Sequence, residues 1–144
     1  MNHPKYPLFT DDPHLYLFIS EGLRGRITKA VIYSQIGRNL FNLGFGDWNE
    51  EFRNLDDSSR SNNGDRDKVL ATVAFTTLHF TNQFPNARIV AEGSTPARTR
   101  LYQMGIADNL MEINENFEIY GLLDGHTEPF QRGRNYEAFL IKRK

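Results

Sequence analysis

Two stretches of this sequence put hydroxyl, guanidinium and carboxylate groups at what reads as the start of a helix. A helix N-terminus presents unpaired N–H groups and positive potential, so such junctions suit anions. The more promising one is Gly93-Ser94-Thr95-Pro96-Ala97-Arg98-Thr99-Arg100-Leu101-Tyr102, with two hydroxyls at its opening and two arginines inside. Ser94, Thr95, Arg98 and Arg100 are the groups expected to hold a phosphate or a carboxylate. Arg98 and Tyr102 are four residues apart and share a helix face. The plainer reading of the same residues is a Thr-Pro cap with surface arginines.

The other junction, Asn63-Gly64-Asp65-Arg66-Asp67-Lys68, mixes its charges. Asp65 and Asp67 compete with an anion for the helix start, while Arg66 and Lys68 offset them. Asn63, Gly64, Arg66 and Lys68 are ligand-binding candidates here, and Asp65 is a candidate base. If both helices start at one sheet edge, the two junctions become neighbours. Asp47, beside the only tryptophan in Phe45-Gly46-Asp47-Trp48-Asn49, is a second candidate base. Its plainer reading is a strand end with a packed indole.

Other chemistries are excluded by what the chain lacks. With no cysteine among 144 residues there is no disulfide, thiolate zinc site or cysteine nucleophile. The four histidines, His3, His14, His79 and His126, have no metal-ligand spacing, so no metal site is expected. No nucleophile elbow, Walker loop or dinucleotide fingerprint occurs.

The elements that would position these groups follow from periodicity. Residues 14–20 and 26–36 read as strands around the turn Gly22-Leu23-Arg24-Gly25, the second with Ile27, Lys29, Val31 and Tyr33 on one face. Residues 40–48 make a third strand and 52–59 a weaker fourth. From 65 to 82 the period becomes helical, with Val69, Val73, Thr76 and Phe80 as a stripe and Leu70, Ala74 and Thr77 beside it. Asn62-Asn63-Gly64 reads as its cap and Pro85 as its stop. A strand at 87–92 precedes the Thr95-capped helix, whose apolar stripe is Ala97, Leu101 and Met104 and whose C′ residue is Gly105. A short helix over 108–116 and strands at 117–123 and 136–142 complete the chain. The expected fold is α+β, in the order β-β-β-β-α-β-α-β-β: a mixed, mostly antiparallel sheet with two main helices in a single domain. The polar run 56–63 reads as a mobile loop.

Lysine and arginine number 17 against 18 aspartates and glutamates, for a net charge of −1. That balance argues against nucleic acid and against an anionic membrane as partners. It is an average over unlike regions. Residues 22–38 carry Arg24, Arg26, Lys29 and Arg38 with no acid, whereas 47–67 hold seven acids and three bases. No apolar run approaches the ~20 residues that span a bilayer, and the N-terminus lacks a signal-peptide core, so a cytoplasmic protein is expected.

Over Asn62-Asn63-Gly64-Asp65-Arg66-Asp67-Lys68-Val69-Leu70-Ala71-Thr72-Val73 and residues 93–106, the chain resembles a small bacterial family known only as a domain of unknown function. That resemblance implies no activity. A second one, to the acyl-CoA-dependent N-acetyltransferases, rests on Arg100-Leu101-Tyr102-Gln103-Met104-Gly105-Ile106. It implies an acetyltransferase-like core of strands, helix, strand, helix and two strands, with acyl-CoA as cofactor and Tyr102 as general acid for the leaving thiolate. In that register Arg98 stands where the family has a small residue, and Gly105 comes one residue early. The family's pyrophosphate loop, Gln/Arg-x-x-Gly-x-Gly/Ala, corresponds here to Asn62-Asn63-Gly64-Asp65-Arg66-Asp67, with one glycine and two acids.

The leading expectation is therefore an acetyltransferase-like domain that binds a small anionic or phosphate-bearing ligand. As an acyl transferase it would use Tyr102 as acid and Asp47 or Asp65 as base. The alternative is a non-catalytic interaction protein, a toxin-like component of a bacterial two-gene module, whose protein partner covers a sheet edge or the ribbon 22–38.

Overall fold

The structure, a computed structural model, describes residues 4–56 and 63–144. Twelve elements follow one another along these residues: β1 (Phe9–Asp12), β2 (Leu15–Gly22), β3 (Gly25–Gly37), β4 (Leu40–Asn49), β5 (Asn54–Asp56), α1 (Arg66–Gln83), β6 (Arg88–Ala91), α2 (Pro96–Asp108), α3 (Leu110–Asn116), β7 (Phe117–Leu123), β8 (His126–Pro129) and β9 (Ala138–Arg143).

The strands form one sheet in the order β1-β2-β3-β4-β6-β9-β7-β8, with β5 added beside β4. Every pairing is antiparallel except β4 with β6, where Leu40–Leu43 lie parallel to Arg88–Ala91. A parallel pair needs a crossover, and α1 supplies it. The sheet is thus mixed and mostly antiparallel, as expected, with two main helices and, within the stretch 108–116, the short α3. The two strands absent from the sequence reading, β1 and β8, have four residues each and lie at the two ends of the sheet. Strands that short and polar carry no readable alternation. Of the stretch 52–59, only Asn54–Asp56 is a strand. Residues 57–59, and the polar run from 57 to 62, lie outside the described residues.

Directly paired residues share a sheet face, so register fixes which side chains meet the helices. Tyr16, Val31 and Phe45 are on that face, as are Tyr33 with Leu43, Phe41 with Ile89, and Ile119 with Ile141. All three helices pack there: Val73 of α1, Ile106 of α2 and Ile113 of α3 meet Leu43, Ala91, Ile119 and Ile141 around one small cavity.

The main stripe expected on α1, Val69, Val73, Thr76 and Phe80, is buried, and two threonines outside it, Thr72 and Thr81, are buried as deeply. Thr72, Thr76 and Thr81 are 0–1% exposed. Each donates its hydroxyl to a carbonyl one turn back and is also bonded from the sheet side. The Tyr6 amide donates to Thr72 at 3.0 Å, Tyr33 Oη bonds Thr76 at 2.8 Å and Thr77 at 2.9 Å, and Arg143 donates to Thr81 at 3.0 Å. The Tyr33 ring stacks on Phe80 with centroids 4.2 Å apart. A buried hydroxyl is tolerated when paired, and here pairing also sets the helix's angular position.

Two expectations for α2 are corrected. Ala97, Leu101 and Met104 do not face the core; all three are exposed, and the inward face is Thr99, Tyr102 and Ile106. The rotation is fixed at the helix's first turn, where Thr99 Oγ1 accepts the Gly93 amide at 2.9 Å. Gly105 is not the C′ residue either. It lies inside the helix, where a Cβ would come within 3.0 Å of Leu70 Cδ1, so its role is close approach of α1. The helix runs on to Asp108, and Asn109 caps it with its amide on Ile106 and its side-chain amide on the Gly105 carbonyl.

The start of α1 is likewise built differently. Asp65, not Asn63, is the N-cap residue, and its carboxylate caps no helix N–H. Asn63 instead closes onto the two-residue turn between β2 and β3. Its Oδ1 accepts from the Arg24 amide at 2.6 Å, and its Nδ2 donates to Ser20 Oγ at 3.1 Å and to the Gly25 carbonyl at 2.9 Å. Its own carbonyl accepts from Leu23 at 3.1 Å. A Cβ on Gly22 would sit 1.9 Å from that carbonyl, so the hairpin tip can touch the helix start only because it is glycine. Replacing Asn63, 2% exposed, with alanine removes the acceptor of the Arg24 amide and the donor to Ser20 Oγ and the Gly25 carbonyl. We expect Asn63→Ala to lower unfolding free energy by about 2–3 kcal/mol in urea denaturation. Asn63→Asp should cost a similar amount, because it keeps the acceptor but loses both donors.

Candidate functional site

Apart from Asp47, the residues singled out from sequence fall into two separate neighbourhoods. The first surrounds the α1 start. Asp65 Oδ2 accepts from the Tyr6 hydroxyl and from Ser20 Oγ, both at 2.5 Å. Lys68 Nζ lies 4.2 Å over the Tyr6 ring, and the exposed Arg66 pairs with Asp67 at 3.8 Å. Gly64, with φ +76°, turns the chain between Asn63 and Asp65. The polar atoms of Asn63 and the carboxylate of Asp65 are thus spent on the hairpin and on Tyr6. Desolvation pushes the Tyr6 hydroxyl up, and the Asp65 carboxylate beside it adds to the shift.

Asp47 sits on the helix-facing side of β4, opposite Lys29 of β3. Lys29 Nζ is 2.6 Å from Asp47 Oδ1, with the two side chains only 7% and 12% exposed, and Nζ also lies 5.8 Å over the Phe45 ring. A carboxylate in a nearly dry ion pair is the counterion that keeps its lysine charged, and removing either partner strands the other. The base expected at Asp47 is therefore committed to Lys29. The neighbouring Trp48 donates Nε1 to Glu50 at 2.6 Å, with Arg53 5.5 Å over its ring.

The second neighbourhood is the α2 start. Thr95 is its N-cap in extended conformation, accepting the Arg98 amide at 3.2 Å, and Pro96 opens the helix. Arg98 Nη1 donates to Ser94 Oγ at 3.2 Å. Beside them lies a cleft of about 400 Å³, within the range of small-molecule sites. Ser94, Thr95, Arg100 and Gln103 form one wall, residues 135–137 the other, and Glu92 contributes a carboxylate. No residue of the α1 start lines it.

Gln103 was not legible as a site residue, yet it ties the walls together. Its Oε1 accepts the Tyr136 amide at 3.1 Å and its Nε2 donates to the Arg134 carbonyl. Tyr136 in turn donates to Glu128, which pairs with Arg134 at 3.1 Å. The only sequence signal was the position of Gln103 one turn after Arg100.

Tyr102 faces away from this cleft into an apolar cavity of about 90 Å³, with Leu70, Val73, Thr77 and Ile106 around it. Burial pushes its hydroxyl up to about 12, while Arg98 pulls the other way. It is protonated at neutral pH and so can donate a proton but not accept one. Of the residues expected from sequence, Ser94, Thr95 and Arg100 share the cleft, Arg98 and Tyr102 stand behind it, and Asn63, Gly64, Asp65, Arg66 and Lys68 belong to the hairpin end. Among the described residues, no group of three or more His, Asp or Glu is arranged to hold a metal ion. No described helix is long and apolar enough to cross a membrane.

Compared with protein families, residues 2–144 match the model of a family of unknown function, DUF6934, and the chain belongs to that family. Neither the curated proteins nor the solved structures gave a match.

The buried tyrosines set an alkaline limit. Burial raises Tyr16 to about 12, Tyr102 to about 12 and Tyr33 further still, against 10.0 for an unburied phenol. The folded state therefore holds protons that the unfolded state has released, and stability falls as pH rises through 10 towards 12. Stability is expected to be insensitive to these groups below pH 9. Above pH 10, the tyrosinate absorbance of these three should appear together with loss of circular dichroism rather than ahead of it.

Proposed function

We propose that this member of the family is an acetyltransferase-like domain that binds a small anionic ligand in the cleft at the start of α2. One observation carries the reading: a 400 Å³ cleft whose wall combines the Ser94 and Thr95 hydroxyls, the Arg100 guanidinium and the Gln103 amide, at a helix start with no acidic residue in its first turn. Hydroxyls and a guanidinium at the positive end of a helix suit a phosphate or carboxylate. Glu92 and Glu137 line the same cleft and disfavour a second negative group. The ligand class that satisfies both is a molecule with one anionic end and a donor-bearing amine or hydroxyl end.

The order of elements supports the acetyltransferase likeness. Strands, α1, β6, α2 and then, with α3 and β8 as additions, β7 and β9 follow the order of that core, and α1 crosses between β4 and β6, the parallel pair among the described strands. The likeness does not extend to the pyrophosphate cradle. At the α1 start, Asn63 and Asp65 are bonded internally and Asp67 adds a second carboxylate, so these residues do not fit acyl-CoA phosphates. No acyl-transfer step is derived from them.

A second reading, a protein-binding component of a two-gene module, is favoured by the apolar side chains the helix layer turns outward: Leu101, Met104 and Met111, the last 84% exposed.

Calorimetric titration with inorganic phosphate, a phosphorylated amino alcohol and acetyl-CoA tests the ligand reading. The phosphorylated amino alcohol should bind most tightly. Arg100→Ala should weaken it ~10- to 100-fold, the size of one charge-assisted hydrogen bond of about 1.5–3 kcal/mol. Tyr102→Phe should leave its affinity unchanged. Absence of heat with all three at millimolar concentration would overturn the proposal.

A further inference from the structure

With α1, α2 and α3 all on one face of the sheet, the opposite face carries no helix among the described residues, and its composition is not that of a solvated surface. In β2 the residues alternate between the faces: Tyr16 and Phe18 point at the helices and are 0% exposed, while Leu15, Leu17 and Ile19 point the other way. A strand with one wet face reads apolar-polar, whereas an unbroken apolar run marks a strand covered on both sides. Register extends this second apolar surface across the sheet. Leu15 pairs with Ile32 and Leu17 with Ala30. Beyond β4, Val90 pairs with Leu140, and Leu140 with Tyr120. Between the two groups β4 contributes Asn42, paired with Ser34 and Val90, and Gly44 and Gly46, over which Leu55 of β5 lies beside its partner Trp48. None of these residues packs into the core cluster. Phe9, paired with Leu17 at the β1 end, is 55% exposed.

We propose that this face is the interface of a homodimer, packed sheet against sheet on a second copy of the chain. Its size favours a stable pair. Six strands ~4.8 Å apart and about six residues long make a surface on the order of 25 by 20 Å. That is about 500 Å² before side-chain relief, at the upper part of the ~300–600 Å² of a monomer's largest patch and towards the ~800 Å² that each partner buries in a standard interface.

Its charges favour a second copy over a partner of opposite sign. The apolar residues named above are interrupted by no charged side chain from β2 to β7, and Asp12, paired with Leu15, adds a carboxylate at the β1 edge. At the β2–β3 end Glu21 pairs with Arg26 at 3.4 Å, and at the other end Glu118 pairs with Lys142 at 3.1 Å. The first end is neutralised within one chain, and the second keeps one net cation, Arg88 beside Lys142. An identical face related by a two-fold axis then lays apolar rows on apolar rows without like-charge repulsion across the middle.

Sedimentation velocity of the full chain between about 1 µM and about 100 µM tests this. The expected mass is twice the 16.7 kDa of one chain. Leu140→Glu should halve it. Thr28, polar already and paired with Ile19 on the open face, gives a second variant that leaves the helix-facing core untouched. Thr28→Arg should yield a monomer with wild-type circular dichroism. A wild-type monomer throughout the range, including one that a different protein then binds, would overturn the proposal. So would a folded Thr28→Arg variant that keeps the dimer mass.

Discussion

The contact on which this architecture depends is the closure of Asn63 onto the β2–β3 turn. Between β4 and β6 the chain must leave the sheet, pass over it as a helix and return parallel to the strand it left. That path leaves the helix's place over the sheet undetermined unless its start is held. Asn63 holds it with three side-chain hydrogen bonds and a carbonyl, and Asp65 adds two more through Tyr6 and Ser20. Once the start is fixed, α1 lowers its threonines onto Tyr6, Tyr33 and Arg143, and Phe80 onto the Tyr33 ring. The one helix face that is rich in hydroxyls is thereby the one that packs.

This explains how much of the molecule could be read from its sequence. The α1 stripe, the hairpin at 22–25 and the face shared by Ile27, Lys29, Val31 and Tyr33 were legible because period and turn chemistry agree there. The α2 face was not. Ala97, Leu101 and Met104 make a more apolar stripe than Thr99, Tyr102 and Ile106, and only the bond from Gly93 to Thr99, made outside the helix, turns the second set inward. Gly105 misled for a related reason: a glycine needed for close helix approach has the same letter as one that ends a helix.

The candidate site was half legible, with the same cause. Hydroxyls and arginines at the α2 start could be read from their spacing, and they do line a cleft. The opposite wall comes from residues 135–137, about forty positions away, and no local pattern announces it. The acids marked as bases were legible as acids but not as partners. Lys29 lies 18 residues from Asp47, and Tyr6 lies 59 from Asp65, so their neutralisation is a property of the tertiary structure.

The single parallel pairing has a consequence for how the sheet assembles. Strands β2, β3 and β4 pair with their sequence neighbours through short turns, over eight residue pairs at each step. The β4–β6 seam spans four, and the strands it joins are separated by the whole of α1. Loop-closure entropy makes such a seam slow to form and quick to open, whereas the meander on its N-terminal side forms locally. The sheet is therefore kinetically two pieces, an early meander and a late C-terminal half stitched along Leu40–Leu43. Amide exchange would divide there, at the line where α1, rather than the backbone ladder, holds the halves together.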